Sequence, residues 1–297
     1  MLNSAGCAIE FASVPERVVS LVPSLTESMF DLGMGQWLVG ITDYCVHPAP
    51  NVKHLPRVGG TKTALLERIL QLNPDFVLAS QEENPHRLIE DLHESGITVW
   101  ITFPKSVRDC LSDLWLLARI FHNEVAVKKL QVLERSVEWA QLSREDYQPV
   151  RYFCPLWQET THKNQLYWIT FNKYTYIHDV LSLLGGENIF AERTRTNSIP
   201  ADLGLVLDEA RYFDDRYPCV TPVEVRNLEP EVIILPSEPY PFAESDRTRV
   251  CELLNNVPAG QNGRVYLVEG SLITWPGTRL AKALDQLADL FSRKTVC

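Results

Sequence analysis

Two short stretches whose prolines stand 156 positions apart (230 less 74) carry the same local pattern. Leu72-Asn73-Pro74-Asp75-Phe76-Val77-Leu78 and Leu228-Glu229-Pro230-Glu231-Val232-Ile233-Ile234 both read Leu-x-Pro-acid followed by three strand-forming residues. Each follows a short helical segment opened by a threonine, Thr63 or Thr221. Proline ends a helix because it has no N–H to give and pushes the residue before it out of the α region. The apolar triplet then enters a sheet. A helix-to-strand junction used twice restricts the chain to α/β architectures and favours two similar lobes. Single junctions of this kind occur throughout α/β proteins, so one large domain stays open on this pattern alone.

The rest of the chain repeats the alternation. The apolar run 17–22, ended by Pro23-Ser24, suits a strand covered on both faces, as in a parallel sheet. A helix over 25–32 is expected next, opened by Ser24 and closed by Gly33. A strand over 38–41 follows, then a helix capped by Thr63 with Leu66, Ile69 and Leu70 turned inward. Strand 75–79, helix 85–94 and strand 97–101 complete the first half. From 106 to 142 the pattern is helical without a strand, and Leu130, Leu133, Val137 and Ala140 form one apolar stripe. Alternation restarts with strand 150–156, helix 174–184, a helix from Thr221-Pro222, strands 231–235 and 265–268, and helix 277–292. The expected fold is therefore α/β: two parallel-sheet lobes, 1–122 and 147–297, joined by one long linker helix within 123–146, with a ligand cleft between lobes.

Lys plus Arg number 28 against 38 for Asp plus Glu, a net charge of −10 that argues against nucleic-acid binding, which needs a basic face. No apolar stretch is long enough to span a membrane. The seven cysteines, from Cys7 to Cys297, are scattered, odd in number and lack CxxC spacing, so neither a disulfide framework nor a zinc site is indicated. The N-terminus has no basic region followed by an apolar run, and Ser4-Ala5-Gly6-Cys7 lacks the hydrophobic segment a lipoprotein signal requires.

Catalytic motifs are missing: there is no GxSxG, GxxxxGK[ST], GxGxxG or HExxH. No two histidines stand at i, i+4, and His86 and His93 lack a third ligand, so no metal site and no catalytic residue is assigned. An enzyme reading would rest on His47, His178 and Asp179. Aromatic residues, by contrast, crowd the expected strand ends. Trp157 follows strand 150–156, and Tyr167, Trp168, Phe171, Tyr174 and Tyr176 fall within ten residues. Tyr240 and Phe242 sit among prolines, and Trp275 precedes Pro276-Gly277. Ligands of open α/β sheets sit outside the carboxyl ends of strands, and flat amphipathic rings there suit a large, partly apolar ligand.

Residues 17–40, RVVSLVPSLTESMFDLGMGQWLVG, resemble the opening of substrate-binding proteins of ABC importers for cobalamin, haem and iron-siderophores. The resemblance continues through Leu55-Pro56-Arg57-Val58-Gly59-Gly60, Gly185-Gly186-Glu187-Asn188-Ile189-Phe190 and Trp275-Pro276-Gly277-Thr278-Arg279-Leu280, in order to about residue 290. The cobalamin-binding branch is the most similar. The resemblance implies a non-enzymatic, cofactor-free protein of two α/β lobes that carries cobalamin or another metal-containing macrocycle as ligand. Haem or a ferric siderophore is the alternative ligand, and a cytosolic chelatase-like tetrapyrrole enzyme the alternative class. Carried over by position, the ligand residues are Pro23, Ser24, Tyr44, Gly60, Thr61, Trp168, Phe171, Tyr174 and Trp275. Thr61 stands where some cobalamin binders have tryptophan. Glu67 and Glu224 stand, the second within one residue, at the two glutamates that dock on the permease; Glu224 also completes a Thr221-x-x-Glu224 capping box. A monomer partnered by an ABC permease is expected. The family works outside the cytoplasmic membrane, whereas this chain as written shows no signal peptide and seven cysteines. A start upstream and a cytosolic relative without a transporter both fit.

Overall fold

In the computed structural model the described residues are 4–6, 13–144, 148–161, 163–194 and 214–292; Cys7, His162 and Cys297 lie outside them. Contacts divide the chain into two units, one of residues 1–138 with 275–282, the other of 139–274 with 283–297. Where the sequence assigned everything after 147 to the second lobe, residues 275–282 belong with the first.

Unit 1 is built on β1 (Val18–Ser20), β2 (Leu38–Ile41), β3 (Phe76–Ser80) and β4 (Thr98–Thr102), paired in parallel in the order β2-β1-β3-β4. Strands β1 and β3 are buried at every residue, which is why they read as unbroken apolar runs. Helix α1 (Pro23–Asp31) starts with Pro23 in its first turn and no side-chain cap, so Ser24 lies inside it rather than capping it. It stops at Gly33, whose φ of +77° lets its N–H reach Phe30 O while Met34 N–H reaches Met29 O. Helices α2 (Ala49–Val52), α3 (Leu66–Gln71), α4 (His86–Glu94) and α5 (Val107–Ile120) follow. Thr63 is not the cap of α3: the turn from Gly59 to Ala64 takes it up, and Leu65 holds the N-cap position without a side-chain bond. Leu70 is 36% exposed, and Ile69 alone of this helix is fully buried.

Helix α6 (Glu124–Leu142) is the long helix expected from the sequence, capped by Asn123, whose Oδ1 accepts from the Val125 and Ala126 amides. Ala126, Leu130, Leu133 and Val137 form its buried stripe.

Unit 2 has a second four-stranded parallel sheet, β11-β10-β5-β8, of β5 (Val150–Phe153), β8 (Gly186–Asn188), β10 (Val232–Pro236) and β11 (Val265–Val268). Beside it lies an antiparallel sheet not expected from the sequence: β6 (Trp157–Thr160), β7 (Leu166–Ile169) and β9 (Cys219–Val220). Trp157, Tyr167 and Trp168 therefore lie on strands rather than in loops, and Tyr176 begins α7. Helices α7 (Tyr176–Leu183), α8 (Pro222–Asn227), α9 (Glu244–Leu253), α10 (Pro258–Gln261) and α11 (Ser271–Thr274) complete it, and α12 (Leu280–Gln286) begins in unit 1 and ends in unit 2.

The repeated junction is a structural repeat. Asn73 and Glu229, each just before the proline, have φ of 45° and 47°. The Asp75 amide donates to Arg17 O at 3.0 Å, and the Glu231 amide donates to Arg151 O at 2.8 Å. Each acid's side chain returns a bond to the neighbouring strand: Asp75 Oδ1 accepts from the Arg17 amide and Glu231 Oε2 from the Arg151 amide. The acid of the motif thus pins the start of one parallel strand to the next. No helix of the described residues is long and apolar enough to cross a membrane.

Candidate functional site

All four strands of the unit 1 sheet point the same way, so the loops after Ser20, Ile41, Ser80 and Thr102 emerge on one edge. Asn84, which the sequence did not single out, ties three of the segments there. Its amide donates to Leu21 O at 3.3 Å and Thr61 O at 3.0 Å, and its Oδ1 accepts from the Ser80 amide at 2.8 Å. Every polar group of this buried side chain is used, so the loops hold one arrangement.

Tyr44 rises from the loop after β2 with 64% of its surface exposed. It lies against Gly60, where an added Cβ would sit 3.2 Å from Tyr44 Cε2 and 2.8 Å from Thr63 Oγ1. Glycine is therefore the residue that lets the ring lie on the backbone. Arg57 props this loop from beneath, donating to Thr42 O at 2.7 Å and Cys45 O at 3.0 Å. Pro23 and Ser24 are buried, and Ser24 offers its carbonyl to Ser28 Oγ. Thr61 is half-buried. Trp275, half-buried, meets the His47 ring edge-on at 6.2 Å and carries the Arg279 guanidinium 4.7 Å from its centroid.

That guanidinium is held by a buried ion pair the sequence reading missed. Arg279 Nε donates to Glu27 Oε2 at 2.6 Å, Arg279 Nη2 to Oε1 at 3.1 Å and Lys282 Nζ to Oε1 at 2.8 Å. Burial pushes the Glu27 carboxyl up, but bonds from Arg279 and Lys282 outweigh it and hold the group below its ordinary value. The signal was present in the sequence as the Thr26-Glu27 and Thr278-Arg279 pairs, 252 positions apart, with nothing local to join them.

In unit 2 the aromatics divide. Trp168 and Phe171, expected to face ligand, are both fully buried, and this corrects that expectation. Trp168 lies on β7 and packs edge-on to Phe153 at 5.2 Å within the core, its Nε1 without a hydrogen-bond partner among the described residues. Phe171 packs near Tyr152 at 6.5 Å. Neither presents a ring face to solvent: strand β7 turns Trp168 inward, and Phe171, two residues beyond the strand, packs into the core. Tyr174 is 52% exposed, with Lys173 Nζ 5.4 Å from its ring centroid. The rings that stand at the carboxyl ends of β5 and β10 are others: Trp157, 36% exposed, meets Tyr240 edge-on at 5.4 Å, and Tyr240 contacts Phe242 at 4.7 Å.

Glu67 is exposed in the first turn of α3. Glu224 is engaged three ways: its Oε2 accepts from the Thr221 amide at 2.8 Å and the Thr221 hydroxyl at 2.9 Å, and its Oε1 accepts from Arg193 at 3.0 Å. Among the described residues no three of His, Cys, Asp and Glu are grouped to hold a metal. His178 lies on α7 with Nε2 3.3 Å from Ser182 Oγ, and burial pushes its imidazole down.

Two parallel α/β sheets, with ring-bearing loops on their carboxyl edges, are the architecture of periplasmic binding proteins. The family model for periplasmic binding proteins matches residues 18–211, more than half of the chain, and the chain belongs to that family. Its members are binding proteins rather than enzymes. The vitamin B12-binding protein of Vibrio cholerae serotype O1 is 27% identical over 273 residues, covering 92% of this chain and 87% of the relative. Two solved structures share the fold. The periplasmic vitamin B12-binding protein of Vibrio cholerae superposes with a TM-score of 0.73 at 24% identity, covering 94% of this chain and 97% of that one. The periplasmic haem-binding protein of Roseiflexus sp. RS-1 gives 0.70 at 22% identity, covering 93% and 97%.

Proposed function

We propose that this protein binds a corrinoid, cobalamin or a near relative, as the substrate-binding component of an ABC-type importer. The observation that carries this reading is similarity to a vitamin B12-binding protein along 92% of the chain. The site chemistry supports it. A corrin is a broad, partly apolar macrocycle, and Tyr44 on Gly60 offers it an exposed ring face that a rigid loop set holds in place. On unit 2, the exposed rings of Tyr174 and Trp157, the latter edge-on to half-buried Tyr240, are suited to the same task. Pro23, Ser24, Gly60 and Thr61 shape the loops around Tyr44, and Trp275 adds a half-buried ring. No resident cofactor is needed; the macrocycle is cargo. The protein acts as a monomer outside the cytoplasmic membrane and hands its ligand to a permease, with Glu67 on unit 1 and Glu224 on unit 2 as docking carboxylates.

Titration with cyanocobalamin, haemin and a ferric siderophore, followed by absorbance, tests the reading. Saturable micromolar or tighter binding of cyanocobalamin is expected, and Tyr44→Ala and Trp157→Ala are each expected to weaken it by about 2 kcal/mol, the cost of a buried aromatic anchor. Tight haemin binding with no cobalamin binding would move the assignment to haem. Cobalamin affinity unchanged in both variants would remove these rings from the site.

A further inference from the structure

We infer that unit 2 carries a second binding site, for a small organic monoanion with an apolar body, in a groove that none of the residues assigned above to ligand or docking lines. The groove encloses about 600 Å3, within the range of small-molecule sites. Its apolar walls are Leu166 at the start of β7, Pro222 and Val223 in the first turn of α8, and Leu253 at the end of α9. Val223 is 58% exposed there, a large apolar surface left in water.

Two guanidinium groups line the same groove, Arg226 from α8 and Arg249 from α9. Arg226 spends Nε on Pro222 O at 3.2 Å, and neither arginine is paired with a carboxylate among the described residues. In a chain with 38 acids against 28 bases, two guanidiniums that pair with no carboxylate among the described residues give this apolar groove a net positive charge. Guanidinium donors match the oxygens of a carboxylate or phosphate. Glu252, also in the lining, lowers the groove's formal charge to a single positive unit, which favours one negative charge over several. The apolar walls require the anion to bring hydrocarbon with it. The site is independent of the corrinoid reading and stands or falls without it.

Calorimetric titration of the full chain with octanoate, acetate and octylammonium reads both halves of the recognition. Octanoate is expected to bind one to one, and acetate and octylammonium at least about tenfold more weakly. Arg226→Gln and Arg249→Gln are each expected to lower octanoate affinity about tenfold, the worth of one charge-assisted hydrogen bond. Among the described residues Arg249 makes no hydrogen bond, so its variant is expected to fold even if loss of the Arg226–Pro222 bond disturbs α8. Cyanocobalamin titration of the same variants is expected to be unchanged. Equal binding of octanoate and octylammonium, full octanoate affinity in Arg249→Gln, or no saturable octanoate binding would each overturn the site.

Discussion

Glu27 shows how a residue can be decided by partners far along the chain. A carboxylate with almost no access to water is costly by itself, and Arg279 with Lys282 makes it tolerable. Glu27→Gln should leave Arg279 buried without its counter-charge and cost about 3 kcal/mol, read by chemical denaturation. The carboxyl titrates below its ordinary 4.5 in the folded chain, so its contribution is complete above that pH and is lost as pH falls through the folded value. The wild-type midpoint should therefore drop more steeply on acidification than that of Glu27→Gln. Asp113 has the opposite sign. Burial pushes its carboxyl up to about 6, despite bonds at 2.8 and 2.5 Å from the Ser4 amide and hydroxyl, and Asp109 nearby raises it further. Stability from this group is full below its ordinary 3.8 and is lost as pH rises through about 6. Asp113→Asn should therefore be more stable than wild type above neutrality, by about 1 kcal/mol or more, with the difference vanishing in acid.

At the scale of elements, local chemistry carried most of the reading. The Leu-x-Pro-acid junctions, the α6 stripe and the Thr221–Glu224 box were legible because each is decided within a few residues by proline geometry, helical period or a cap. The Thr63 cap failed for a related reason: a turn pinned by Gly59 competes for that threonine, and no propensity records the competition. The β6–β7 hairpin was missed because four-residue strands rich in Trp and Tyr look like a binding loop until their partners are known. That one error misplaced Trp168, whereas Tyr44 needed only its loop and a glycine to lie against. The doubled junction gives a clean test. Asparagine tolerates the left-handed conformation seen at Asn73, but glutamate at Glu229 adopts it under strain. Glu229→Gly should raise stability by about 0.5–1 kcal/mol in denaturant unfolding, whereas glycine at an unstrained site would lower it.

For the whole molecule, the transporter role proposed above can be tested on two carboxylates with different structural duties. Glu67 is exposed without a structural task, so Glu67→Lys should fold and bind cobalamin as wild type does, within about 0.5 kcal/mol in stability. The same variant should fail to support uptake through a cognate permease if the proposed docking role holds, because reversing a charge at a complementary interface opposes association. Normal uptake would remove the docking role. Glu224 is less informative, since its removal also opens a helix cap and the Arg193 pair. The chain also crosses between its units three times, leaving unit 1 within α6 and returning for residues 275–282. A ribosome delivers residues in order, and Arg279 comes 252 positions after the glutamate it neutralises. Until those later residues emerge, the nascent N-terminal unit thus holds an acid it has no cation to bury, so its folding waits for Arg279 and Lys282 to arrive and close it.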